Sequence, residues 1–172
     1  STFFFLNESM SLKYFDLSSY SLALGRYNIE DSKVAAIIRR LDNLGYEIGL
    51  HGSFYSFNNL ELLSKEKETL ESILGKNVSG IRQHHLNFDA QTWKIQKQLG
   101  LKYDSSWGYN YDIGFKDNQV APFNPFNDNF LVFPMVLMDT PFSNDKNKWL
   151  RLESIITTAK EKNGVVVLNW HT

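Results

Sequence analysis

The chain has 172 residues, 42% hydrophobic and 15% aromatic, which is enough apolar mass for one domain with a real core. Lysine and arginine number 18 against 19 aspartates and glutamates, so the net charge of −1 offers no basic field for a phosphate backbone and argues against nucleic acid as a partner. No cysteine is present, which excludes disulfides and thiolate chemistry, and no apolar run approaches the ~18–20 residues of a membrane span.

Phe3 to Leu6 is the first expected strand, followed by a polar and aromatic loop through about Asn28. The start lacks the basic residues and small-residue cleavage site of a signal peptide. From Asp31 the period changes: Val34, Ile37, Ile38, Leu41 and Leu44 recur at three and four, Asp31 or Ser32 can cap the start, and Gly45 ends the helix. Tyr46 to Leu50 then forms a strand that delivers His51. A charged helix over about Leu60 to Leu74 carries Leu63, Leu70, Ile73 and Leu74 as its apolar stripe, with Gly75 as its stop.

Val78 to Ile81 is the next strand and delivers Arg82, Gln83, His84 and His85. Asp89 can cap a helix through Trp93, Ile95 and Leu99, after which Leu101-Lys102-Tyr103 leads to Asp104-Ser105-Ser106-Trp107-Gly108. Residues from about Tyr109 to Phe130 read as a long loop with room for a short hairpin. Leu131 to Met138 is apolar around Pro134 and ends at Asp139. A last helix over roughly Asp145 to Lys162 turns Trp149, Leu152, Ile155, Ile156 and Ala159 inward, and Gly164 to Trp170 reads as a buried strand ending at His171. Both ends of the chain read as cut inside a domain.

Strands alternating with helices predict a single α/β domain over residues 1–172 with mainly parallel strands. Polar loops leaving many strand ends fit an incomplete (β/α) barrel better than an open sheet. All four histidines, His51, His84, His85 and His171, stand at or just beyond strand ends, where such folds assemble chemistry.

The residue types define what that face can do. Imidazole is the commonest metal ligand and titrates nearest neutral pH, although a histidine such as His51 can equally be held by a nearby carbonyl. Adjacent strand residues face opposite sides, so only one of His84 and His85 should enter a shared site unless the chain bends there. Arg82 can orient a carboxylate or an anionic group. Asp104 and Asp139 can ligate a metal, orient a histidine, act as a base, or cap the helix that follows. Trp107, Tyr109, Tyr111 and Trp170 are candidates for stacking on sugar rings.

Taken in order, these junctions resemble the polysaccharide deacetylase family, the NodB homology domain of carbohydrate esterase family 4. Ser1-Thr2-Phe3-Phe4-Phe5 is similar to its "ATFF" strand, Gly45-Tyr46-Glu47-Ile48-Gly49-Leu50-His51 to "GHEIGNH", and Gly80-Ile81-Arg82-Gln83-His84-His85 to "GxRxPY". Leu99 to Ser106 is similar to "GYxYDSS", and Val166 to His171 to the closing strand with its catalytic histidine. The resemblance implies a deformed (β/α) barrel and a divalent metal, commonly zinc, held by an Asp and two His. It also implies a second Asp as base and a His as acid toward the leaving amine.

Residue by residue, it implies His51 as a metal ligand, His171 as the general acid, Arg82 as the holder of the base, and His85 as the oxyanion-binding position of the motif. Asp104 belongs with the catalytic candidates, and Trp107, Asp139 and Trp170 join His85 as expected substrate contacts. The family's "TFDDG" motif, with both catalytic aspartates, is expected ahead of Ser1, so the fragment alone is expected to be inactive. Tyr55 stands where the second metal histidine normally lies, four residues after His51, and His84 is the expected replacement ligand.

The implied substrate is an N-acetylated amino sugar in a cell-envelope or secreted polysaccharide. A degenerate carbohydrate-binding or structural module of the same fold is the alternative, and a metal-free hydrolase of a small amide a third reading.

Overall fold

The computed structural model describes residues 1–8 and 27–171. Most of the loop expected before Asn28 falls on residues 9–26 and lies outside the described residues. The chain divides into two compact units, Ser1–Leu101 and Lys102–Thr172.

In the first unit three parallel strands, β1 (Thr2–Leu6), β2 (Glu47–Gly52) and β3 (Gly80–Gln83), lie in chain order. Their register sets Leu6 opposite His51 and His51 opposite Arg82, so the strands finish level with one another. Helix α1 (Ser32–Asn43) precedes β2 and starts at Asp31, whose carboxylate accepts the Lys33 N–H. Ala35 and Ile38 form its buried side, whereas Ile37, expected inward, is 53% exposed. One residue along a helix turns the side chain by ~100°, and a stripe centred on Ile38 leaves its neighbour outside.

Helix α2 (Leu60–Leu74) has the bounds its sequence predicts, capped by Asn59 and stopped by Gly75 in the left-handed conformation. Strand β3 begins later than expected, so Arg82 and Gln83 sit within it instead of beyond it. Helix α3 (Thr92–Gln98) follows, with Asp89 accepting the backbone N–H of Gln91 and Thr92. Ile29, Ile38, Leu50, Leu63, Leu70 and Ile81 are fully buried and form the centre of this unit. The absence of a side chain at Gly49 lets the Phe4 ring lie where a Cβ would come within 2.5 Å of it, and the Arg82 guanidinium stacks on that same ring at 4.7 Å.

The second unit contains two parallel pairs, β4 (Tyr103–Asp104) with β5 (Leu131–Val132) and β6 (Met135–Met138) with β7 (Val167–Asn169). The apolar run from Leu131 breaks into β5 and β6 around Pro134, which has no N–H for a ladder. In place of a hairpin within the long loop, Phe123 makes one isolated antiparallel bridge to Val132 of β5. The expected final helix is α5 (Lys148–Glu161), and a short helix that the sequence did not lead us to expect, α4 (Asp139–Asn144), precedes it. Ile113, Val136, Leu137, Phe142 and Ile155 form its core.

Two expectations fail here. Trp149 and Ile156, both expected inward, are 67% and 37% exposed. Strand β7, expected to be buried, has Leu168 at 52% exposure, because among the described residues β6 is its one ladder partner.

Candidate active site

Three residues meet where β1, β2 and β3 end. His51 sits in β2, and its ring Nδ1 lies 2.8 Å from the carbonyl oxygen of Arg82 on the adjacent strand. A carbonyl only accepts, so Nδ1 carries a proton, and the lone pair of the neutral form of this ring belongs to Nε2. His84 follows β3 directly, its ring 5.3 Å from that of His51 and nearly edge-on to it. The His84 Nδ1 is buried without a hydrogen-bond partner. The Glu8 carboxylate, just past β1, stands 3.7 Å from it, with 3% of the Glu8 side chain accessible.

His84 opens a short 3-10 turn, His84–Leu86, in which His85 has φ 54°. This bend removes the strand alternation that would separate the two rings. Their centroids lie 4.5 Å apart, and the Phe54 ring stands edge-on to both. His84 is half-buried and His85 exposed.

Behind this group α2 contributes Glu66, which is 2% exposed and accepts the Ser53 N–H at 3.1 Å. Burial pushes its carboxyl up to about 7, against the hydrogen bonds of Ser53 and Ser56, and the Glu8 charge adds to the rise. Beside it the Ser56 hydroxyl donates to the buried Gln83 amide oxygen. Neither Glu8 nor Glu66 was anticipated from the sequence. Glu66 was detectable, since it falls on the Leu63–Leu70 stripe of an otherwise amphipathic helix.

In the second unit His171 follows β7, and its Nδ1 lies 2.7 Å from Asp139 Oδ1, while its backbone N–H donates to Asp139 Oδ2. Asp139 opens α4. Its partial burial tends to raise the carboxyl pKa, but hydrogen bonding and the charge of His171 prevail and hold it below the ordinary aspartate value. Asp139 thus orients a histidine, one of the roles its place at the end of an apolar run allows. Asp104 is fully buried, and its two oxygens accept the Ser106 N–H and hydroxyl.

The Trp107 ring is covered on one face by the Lys116 ammonium at 4.2 Å, whereas Trp170 is 61% exposed. A shallow cavity of about 290 Å³ opens beside α4 near Tyr111 and Thr140. Arg151 lines it, clamped between Asp112 and Asp145.

The profile of the WbmS-like polysaccharide deacetylases matches residues 31–172. The chain belongs to this polysaccharide deacetylase family. The fold agrees: a Mycobacterium smegmatis protein assigned to the polysaccharide deacetylases superposes with a TM-score of 0.57 at 17% identity, covering 83% of this chain and 55% of that one. A 4-alpha-glucanotransferase from Thermococcus litoralis gives 0.53 at 14% identity over 82% of this chain and 24% of its own. A Bordetella bronchiseptica protein assigned to the polysaccharide deacetylases and to O-antigen biosynthesis gives 0.46 at 16% identity, covering 76% and 54%. The chain therefore spans about half the length of the two bacterial proteins. A search of curated proteins gives no match.

The α/β architecture with parallel strands resembles the deformed barrel of such deacetylases. Among the described residues of this WbmS-like chain, no three His, Cys, Asp or Glu side chains group closely enough to hold a metal ion. Two imidazoles nevertheless suit one: His51 by its fixed tautomer and His84 by a ring that stands 5.3 Å from it at the same strand ends. Tyr55 is half exposed and stands edge-on to Phe54.

Proposed function

We propose that this WbmS-like chain is part of a metal-dependent hydrolase that removes N-acetyl groups from an amino sugar in a polysaccharide. The carrying observation is the His51 Nδ1 bond to the Arg82 carbonyl. It fixes a proton on one nitrogen, so that the other is the one through which the ring would bind an ion, the arrangement usual in metal-bound histidines. His51 and His84 are the residues that would hold the ion, zinc being the natural choice for imidazole donors. When bound, such an ion polarises the amide carbonyl and lowers the pKa of a water molecule.

The chain's own side chains take the remaining roles. His171 delivers a proton to the departing amine from Nε2, because Asp139 retains the Nδ1 proton and steadies the imidazolium that forms in the cycle. Arg82, stacked on Phe4, orients the carboxylate base that the family resemblance implies. His85, at the bend, offers the backbone amide expected to face the oxyanion. Asp104, bound by Ser106, fixes the loop that leads to Trp107. Trp170, exposed beside His171, supplies an aromatic face for a sugar ring.

The test is the zinc content of the natural-length protein beside its His51→Ala and His171→Ala variants, together with acetate release from N-acetylglucosamine oligomers. One tightly held ion, lost with His51 and kept without His171, and acetate release abolished in both variants, is the expected result. Absence of metal after zinc is supplied would leave the second reading, a carbohydrate-binding module of the same fold. That reading is favoured by Tyr55, which stands where the resemblance places the second metal histidine.

A further inference from the structure

We infer that Glu8 is a positioning residue for His84, its carboxylate accepting the His84 Nδ1–H and so reserving Nε2 for the metal. This rests on the metal role proposed above for His84.

Glu8 is a carboxylate taken almost wholly out of water, with 3% of its side chain accessible. A buried carboxylate is costly unless it is hydrogen-bonded or paired. One oxygen, Oε2, accepts the Phe54 N–H at 3.0 Å, and the same oxygen stands 3.7 Å from His84 Nδ1. That nitrogen is buried and makes no hydrogen bond at this separation. A buried ring nitrogen without a hydrogen bond and a carboxylate oxygen within an ångström of bonding distance therefore lie next to each other.

The neighbouring histidine shows what the arrangement achieves. His51 already has its Nδ1 on an acceptor, the Arg82 carbonyl at 2.8 Å, and a carboxylate on His84 would set both rings to the same tautomer. The level strand ends make this possible. Leu6 pairs with His51 and His51 with Arg82, so a side chain two residues beyond Leu6 comes level with one two residues beyond Arg82.

The experiment uses the natural-length protein, freed of metal, with long-range proton–nitrogen correlation of the histidine rings. Wild-type His84 should carry its proton on Nδ1, and Glu8→Ala should move it to the Nε2 form or a mixture. Zinc affinity, measured by chelator competition, should fall roughly 10- to 100-fold in Glu8→Ala. It should be partly restored in Glu8→Gln, whose amide oxygen still accepts.

A bare Nδ1 on wild-type His84, an unchanged tautomer in Glu8→Ala, or zinc affinity within twofold of wild type would overturn the inference. Equal loss in the Gln and Ala variants would overturn it too, because that is the mark of a carboxylate bound directly to the ion. Should Glu8→Ala fail to fold, the wild-type tautomer and the Gln variant decide. A wild-type protein that takes up no zinc, yet shows the Glu8-dependent tautomer, refutes the metal assignment and leaves this pairing standing.

Discussion

Asp139 and His171 are joined twice: Oδ1 of the carboxylate lies 2.7 Å from the ring Nδ1, and Oδ2 accepts the backbone N–H of the same residue. One side chain thus fixes both the direction and the tautomer of the imidazole. Asp139→Asn keeps the shape but substitutes an amide that can present its NH₂ to Nδ1. The expected outcome is a kcat about 10- to 100-fold lower with KM little changed, measured on N-acetylglucosamine oligomers. An equal loss in thermal stability and activity would instead mark the pair as a fold contact.

Replacing His84 and Tyr55 separately distinguishes the two positions open for a second metal histidine. Tyr55→Ala should leave zinc content unchanged, since its half-exposed ring packs on Phe54. His84→Ala should reduce zinc to substoichiometric levels in the metal-loaded natural-length protein, read by elemental analysis. Retention of a full equivalent in His84→Ala would remove His84 from the ligand set.

Local patterns carried most of the fold. Asp31, Asn59 and Gly75 mark their helix ends through hydrogen bonds and backbone angles that span only a few residues, so sequence alone places them, whereas Asp89 holds the turn before α3, whose cap is Gln91. Exposure was less legible. Leu168 lies in the most apolar segment of the chain and is half exposed, because burial depends on which strands come alongside and not on the segment itself.

The site divides in the same way. That histidines stand at strand ends follows from the order of apolar runs, whereas the bend at His85, which sets its ring beside that of His84, depends on a left-handed backbone angle at a non-glycine residue. For His51 the two sequence readings, a ligand or a histidine held by a carbonyl, turn out to be compatible, since the carbonyl bond prepares the ring for ligation. Glu8 gave no signal because its role depends on three strands ending level.

Glu66 provides a pH signature. Its carboxyl is raised from 4.5 to about 7, chiefly by burial. The folded state therefore binds a proton that the unfolded chain has released. Protonated Glu66 favours the fold fully below about 4.5, and this stability is lost as pH climbs through about 7. Glu66→Gln should flatten the thermal midpoint across that window and raise it above wild type at pH 8. A variant that follows the wild-type curve would show that Glu66 is ionised and paired throughout.

Gly52→Ala tests the tightness of the layer beneath His51. A Cβ there would meet the Gln83 amide oxygen at 2.2 Å, and Gln83 is wholly buried and receives the Ser56 hydroxyl. Displacing that amide should cost about 1–3 kcal/mol by chemical denaturation and weaken zinc retention with it. Unaltered stability would mean that the amide finds a second buried position.

The acceptor that fixes His51 belongs to the peptide backbone of residue 82 and not to its side chain. Mutational drift at position 82 can therefore erase the guanidinium and whatever it contributes, yet leave the orientation of His51 intact. Only a slip of β3 against β2 by one residue would withdraw that carbonyl. Heritable loss of catalysis and loss of ligand geometry are thus separable at a single codon, and a lineage could discard the chemistry of residue 82 long before it lost the imidazole's alignment.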